Sequence, residues 1–241
     1  MIERVLVAAL GIGGATILGG ILGIMLRGAA RRFESIMMGL ASGIMLAACG
    51  GLIGPAAESA GSIFTVGAGM MLGAAFIKAM DRCVPQLGRL MGIDPGGQGG
   101  ILLMALAVGL HNLPEGMAAG IAFGSGDLTG AMAVASGIIL HNIPEGMLVI
   151  SPLLNAGAGV RRTMLMAAAT GLSEIIGTLI GYYAAAFSSA IMPMSLAFAA
   201  GTMLYIIGSE MIPRQNLGGS RGTFAMVLGY FIMLAAGGSA A

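Results

Sequence analysis

Charge is what this chain has least of. Lys, Arg, Asp and Glu make up 9% of its 241 residues, against about 25% in an ordinary soluble domain. So few charges cannot cover the surface of a water-soluble protein of this length, which excludes a freely soluble globular fold. The formal net charge is +1, so no basic field points to nucleic acid. Tryptophan is absent, and there are two cysteines, Cys49 and Cys83. Two isolated thiols exclude a disulfide framework and a CxxC metal site, and they read as small core residues. Histidine is as scarce: His111 and His141 are the only two.

What is abundant is apolar. Hydrophobic residues reach 57%, with 43 glycines and 21 methionines. A bilayer accepts such a surface, and glycine lets helix backbones approach closely within it. A spanning helix needs about 20 mostly apolar residues. Reading between charge clusters and Gly/Pro breaks predicts eight, at 5–26, 33–54, 61–81, 100–123, 128–154, 163–187, 191–212 and 222–239. Together they make a single transmembrane domain over 1–241. The first apolar run is too long for a cleaved secretory signal, and its arginines follow it instead of preceding it. The longest connection, Arg82 to Gly99, contains the turn sequence DPGGQGG.

Arginine and lysine set the orientation. Arg27, Arg31 and Arg32, then Lys78, Arg82 and Arg89, then Arg161 and Arg162, then Arg214 and Arg221 all fall on one side. Positive loops stay in the cytoplasm, which puts both termini outside. Arg4 is the single exception. The outer loops carry Glu58 and Asp127 and no positive charge, a mildly negative entrance for cations.

Two spans carry one motif twice. The fourth reads GLHNLPEGM from Gly109 and the fifth ILHNIPEGM from Ile139, thirty residues apart. Both histidines sit near the middle of antiparallel spans, close to the bilayer midplane. His111 and Glu115, like His141 and Glu145, stand at i and i+4 on one helix face. Two such faces can surround one cation with two imidazoles and two carboxylates. Asn112 and Asn142 lie one position round and offer carbonyl oxygens to a neighbouring site. Pro114 and Pro144 cannot donate to the carbonyls of Leu110 and Leu140. Backbone freed at that depth must be buried in protein or line a cavity, and broken helices of this kind build ion sites in transporters. Intramembrane charge is costly and usually functional.

Two further acids fall within spans. Glu174, in GLSEIIG, has no basic neighbour in sequence and reads either as a metal ligand or as a structural or proton-relay acid. Glu210, in GSEMIP, reads either as an exit-side ligand or as an interfacial acid pairing with Arg214. Imidazole, carboxylate and amide oxygen without thiolate favour Zn(II), Fe(II), Mn(II), Co(II) or Cd(II) over Cu(I), and zinc suits the mixture. An internal repeat is also visible. Gly43, Met45, Leu46, Gly50 and Pro55 of span two recur as Gly201, Met203, Leu204, Gly208 and Pro213 of span seven. The two spans run in opposite directions, the pattern of an inverted repeat. Glu210 falls where span two has Leu52.

With these segments in view, the sequence resembles the ZIP (Zrt/Irt-like) metal transporters, especially their bacterial branch. HNLPEGMAAGIAFG, HNIPEGM, GLSEIIGTLIGY and FAAGTMLYIIGSEMIP carry the likeness. It implies an all-α membrane protein with eight transmembrane helices in a ZIP-type bundle, set in the cytoplasmic membrane as a homodimer. It also implies inward metal movement, with spans one, four, five and six as the moving unit. His111, Glu115, His141 and Glu145 would form a first metal site. Asn112, Asn142 and Glu174 would form a second, with Glu115 and Glu145 bridging; a mononuclear centre is the alternative. Leu52 stands where many relatives have an acid, and the loop between spans three and four lacks their histidines. The expected activity is uptake of a divalent metal by alternating access, with the metal as cargo, no prosthetic group and no enzymatic reaction. The rival readings are an intramembrane metal-dependent hydrolase, for which the HExxH pattern is missing, a passive metal channel and a proton carrier.

Overall fold

The positions of Gly, Pro and charge predict where helices stop, and the structure tests those stops. A computed structural model of the chain describes residues 1–26, 28, 32–93, 97–155, 157–186, 191–217 and 219–236, and every regular element among them is helical. Arg27, Arg31 and residues 94–96 of DPGGQGG lie outside the described residues, as do 187 and 237–239 at the ends of predicted spans. The helices are α1 Ile2–Met25, α2 Glu34–Ser59, α3 Ile63–Leu90 and α4 Gly97–Gly124. They continue with α5 Leu128–Asn155 and α6 Val160–Ala186. α7 comprises Met192–Ile206, a π-helical turn Ile207–Met211 and a last α turn Ile212–Asn216. α8 is Ser220–Ala236. All-helical structure follows from the solvent, because in lipid every backbone group must find its partner within the segment. Six of the described helices are long and apolar enough to cross a membrane, namely α1, α2, α3, α5, α6 and α7.

Two stops differ from expectation. α2 does not end before Pro55 but runs through it to Ser59. A proline removes one helical hydrogen bond, here to the carbonyl of Gly51, and the bonds on either side carry the helix past it. α3 continues beyond residue 81 through Arg82, Pro85 and Arg89. Polarity marks where lipid contact ends; it does not by itself break a hydrogen-bond ladder.

The helices pack in four principal pairs: α1 with α5, α4 with α6, α2 with α8 and α3 with α7. α1 also packs on α6, α2 on α5 and α7, and α4 on α5 and α7. Exchanging α1 with α6, α2 with α7, α3 with α8 and α4 with α5 turns each principal pair into another. Glycine makes every pair possible. Gly120 rests on the Thr178 carbonyl and Gly177 on that of Leu113 between α4 and α6. Gly19 and Gly146 do the same between α1 and α5. Gly43 and Gly229 join α2 to α8, and Gly73 and Gly201 join α3 to α7. A methyl group at any of them would overlap a backbone oxygen. Gly13 and Gly171, 158 residues apart, pack on each other's backbone. That is the offset that relates Gly43 to Gly201.

The turn joining α4 to α5 is tight. Gly126 takes φ +87°, where a side chain would be strained, and the Asp127 carboxylate accepts from the Gly130 amide at 3.1 Å as an N-cap does. α4 and α5 therefore run antiparallel, as the thirty-residue repeat requires.

Gly120→Ala is expected to lower stability in detergent by about 1–3 kcal/mol, the usual cost of overpacking. At Gly14 an added methyl meets open space, so Gly14→Ala should be neutral or stabilise by up to about 1 kcal/mol. Thermal unfolding of both variants beside the parent chain checks the contrast, and equal midpoints would contradict the α4–α6 contact.

Candidate metal centre

The i, i+4 spacing puts His141 and Glu145 on one face of α5, and α4 brings Glu115 against it. His141 Nε2 lies 3.2 Å from Glu115 Oε2 and 3.5 Å from Glu145 Oε2. His141 is completely buried and Glu115 nearly so. The other ring nitrogen, Nδ1, is 3.2 Å from the Gly137 carbonyl. A carbonyl only accepts, so Nδ1 carries the hydrogen and Nε2 of the neutral ring is a bare lone pair. With the ring neutral and both carboxylates ionised, three acceptor atoms meet with no donor between them. A cation, or a proton on Nε2, has to supply the missing positive charge. This is the geometry of a metal ligand whose far nitrogen is fixed by a second hydrogen bond.

His111 does not join that trio. Its Nε2 lies 2.5 Å from Asp81 Oδ1 on α3, and its Nδ1 lies 3.1 Å from Glu210 Oε1 on α7. Both ring nitrogens face carboxylates, so a second three-residue cluster of ligand atoms forms beside the first. The π-helical turn Ile207–Met211 carries Glu210; such turns insert an extra residue, re-aim side chains and recur at functional sites. Glu210 does not pair with Arg214, whose partner is Glu34 at 2.9 Å. A cavity of about 50 Å³ touches both clusters through Glu145, His111, Asn112 and Glu210. That exceeds the roughly 10–15 Å³ that a single water needs.

Glu174 is settled differently. It is fully buried on α6, and its carboxylate accepts from three neutral donors. Thr16 Oγ1 donates to Oε2 at 2.7 Å, and Asn112 and Asn142 donate through Nδ2 to Oε1 at 2.6 and 2.9 Å. Asn142 Nδ2 also reaches the Ile12 carbonyl at 3.2 Å. Each amide spends its donor end on Glu174, and both carbonyl ends, Asn112 Oδ1 and Asn142 Oδ1, are left buried without a hydrogen-bond partner. Buried acceptors of this kind are uncommon and suit a cation.

Of the residues the sequence nominated, Glu115, His141 and Glu145 come together. Asn112, Asn142 and Glu174 form an adjoining network, and His111 and Glu210 meet in a cluster of their own. Sequence reasoning missed Asp81, which sits between Lys78 and Arg82 and so reads as an ordinary end-of-span charge. It also missed Thr16, an unremarked hydroxyl in the first apolar run. Its one signal is that 158 residues separate it from Glu174, the offset of the internal repeat.

The family described as ZIP Zinc transporter matches residues 96–237. The zinc transporter GufA of Myxococcus xanthus is 37% identical over 176 residues, covering 70% of this chain and 68% of the relative. The zinc transporter ZIPB of Bordetella bronchiseptica is 32% identical over 239 residues, covering 91% of this chain and 76% of its own length. The zinc transporter ZupT of Shigella dysenteriae is 31% identical over 212 residues, with 83% and 82% covered.

Removing Glu174 and removing Glu115 should have different consequences. Glu174→Ala leaves the Thr16 hydroxyl and the Asn112 amide without an acceptor, each costing about 1–3 kcal/mol, while Asn142 keeps the Ile12 carbonyl. Glu115→Ala deletes a carboxylate that crowds a bare imidazole nitrogen. In metal-free detergent solution the first variant should melt well below the parent and the second near it or above. The reverse order would refute the hydrogen-bond assignment.

Proposed function

The chain belongs to the ZIP zinc transporter family, and on that premise we propose that it carries a divalent transition-metal ion into the cytoplasm by alternating access. Zinc is the first candidate cargo, with iron, manganese, cobalt and cadmium as alternatives by ligand chemistry. The protein is a multi-pass membrane transporter and not an enzyme. The proposal includes one domain of eight spans in an inverted repeat, both termini outside, in the cytoplasmic membrane and as a homodimer. The interchangeable helix pairs and the recurring 158-residue offset support the repeat.

The observation that carries the proposal is His141 Nε2 facing Glu115 and Glu145 at 3.2 and 3.5 Å in a buried site. Two carboxylates and one neutral imidazole balance the charge of one divalent ion, which hydrocarbon otherwise excludes. The orphan oxygens of Asn112 and Asn142 add ligand capacity beside them. Glu174 serves that second position by holding both amides in place, and it is itself within reach of an ion placed there. His111, Asp81 and Glu210 then form the next station.

Exposure supports a direction of travel. It rises from 0% at the His141 side chain to 22% at Glu145, 34% at Asp81 and 42% at Glu210. Arg214 lines the same cavity, and Arg82 adjoins Asp81, so the path leads to the arginine-bearing end. By the positive-inside rule that end is cytoplasmic. Met45, Cys49 and Leu52 of α2 are fully buried, and α2 offers no acid at Leu52. This is the arrangement of a carrier open inward. Release requires ligands that hold the ion less completely than the trio does, and the cluster of His111, Asp81 and Glu210, with its two carboxylates partly exposed, meets that need.

Reconstituted in liposomes, the parent chain should take up zinc in a saturable manner. Glu115→Ala and His141→Ala should fall to the level of protein-free vesicles while remaining folded. Asp81→Ala and Glu210→Ala should keep equilibrium zinc binding yet slow uptake severalfold. Parent-like uptake in either of the first two variants would remove the proposed centre.

A further inference from the structure

Two grooves on the membrane face of the molecule are not used by the metal path. One, of about 560 Å³, lies between α1 and α5; the other, of about 510 Å³, lies between α4 and α6. Both fall within the roughly 300–1,000 Å³ of small-molecule sites. They are copies of one design. Arg4, Val7, Ala8 and Gly11 line the first, and Arg162, Leu165, Met166 and Ala169 line the second, each 158 residues further along. The facing walls follow the thirty-residue offset of the central repeat: Leu102, Leu106 and Gly109 in one, Met132, Ser136 and Ile139 in the other.

Each groove has apolar walls and one arginine at its rim. In the second groove the hydroxyls of Thr170 and Ser173 donate to the carbonyls of Ala167 and Thr170, so they present no free donor to the cavity. In the first, Glu3 adjoins Arg4 at the rim. Arg4 and Arg162 each begin a helix, and in the eight-span reading those helices start on opposite sides. Arg4 is the positive residue that the charge distribution left unexplained on the outer side. An apolar groove with an arginine from the first turn of a helix in its lining complements a molecule with an acyl chain and a phosphate.

We propose that these grooves are paired lipid sites, each taking an acyl chain of one anionic glycerophospholipid whose phosphate rests on Arg4 in one leaflet and on Arg162 in the other. Both grooves flank the helices that carry the metal ligands, so a bound lipid spans the seams α1–α5 and α4–α6. The sites require the chain to cross a bilayer but do not require a metal to move, so lipid retention and zinc uptake fail independently.

The test uses the full chain in phosphatidylcholine vesicles containing phosphatidylglycerol, extracted and weighed intact by native mass spectrometry. Two phosphatidylglycerol molecules should remain on the parent chain. Arg4→Gln and Arg162→Gln should each lose one, with retention falling roughly fivefold, while Arg→Lys at either position keeps most of it. Gly11→Phe and Ala169→Phe fill the grooves without touching the arginines. The nearest atom to a Cβ at Gly11 is the flexible end of Ile139, at 3.0 Å. These variants should also lose lipid; if either fails to fold, Gly11→Leu and Ala169→Leu replace them. Unchanged retention in the double arginine variant would overturn the proposal. So would lipid that survives the filled grooves, which would reduce the effect to general surface attraction, or a lipid-free dimer that buries both grooves.

Discussion

An imidazole nitrogen and two carboxylate oxygens converge in the middle of this protein, and no lysine or arginine among the described residues lies between them. His141 Nε2 lies 3.2 Å from Glu115 Oε2 and 3.5 Å from Glu145 Oε2, and its Nδ1 faces the Gly137 carbonyl. Among the described residues no lysine or arginine pairs with either carboxylate. Such a site persists only if its surroundings force it, because each group left to itself would turn away toward a donor or toward water. The force comes from backbone packing. Glycine contacts between α1 and α5 and between α4 and α6 hold the two motif-bearing helices against their outer partners at carbonyl distance. The same contacts explain why glycine is so common here. The close approach that gives lipid-embedded helices their attraction also fixes the ligands.

The acids of the interior divide by how they are satisfied. Glu174 receives three neutral donors and is complete as it stands. Glu115 and Glu145 face only the His141 Nε2 nitrogen, which in the neutral ring has no hydrogen to give. The contrast assigns different tasks to residues that look alike in the sequence. Glu174 fixes both asparagine amides, so that their carbonyl oxygens project without partners, and it thereby positions the candidate ligands on other helices. Of the two readings that the sequence left open for Glu174, the structural one describes this geometry. The ligand reading survives through its proximity to the same oxygens.

Much of this was legible beforehand, for physical reasons. Scarce charge points to lipid, and two copies of a mid-span His-x-x-x-Glu point to a candidate cation site. Both signals are local, contained within one helix each. What could not be read was pairing between distant segments. Asp81 meets His111 across thirty residues, from a stretch where Lys78 and Arg82 make any acid look like loop decoration. Thr16 meets Glu174 because α1 crosses α6 at Gly13 and Gly171, and no pattern within either helix announces a crossing. The end of α2 was missed because Pro55 weakens a helix without always ending it. The π-helical turn in α7 was missed because the extra residue it accommodates has no sequence signature.

That turn explains an asymmetry in an otherwise repeated structure. Span two and span seven share five identities at one offset, yet Glu210 of one stands where the other has Leu52. Leu52 is fully buried in the apolar core, while Glu210, carried on the π-helical turn, is swung out to face His111. An acid at Leu52 would sit in a sealed, dry interior; at Glu210 it borders a cavity leading to solvent. Two spans so alike in sequence would otherwise present the same chemistry. Leucine at one position and an acid on a π-helical turn at the other leave carboxylates at the arginine-bearing end and an apolar stretch in α2. Along the proposed path a cation meets carboxylates at one end and none from α2 at the other, so the proposed direction of release rests on the difference between two residues.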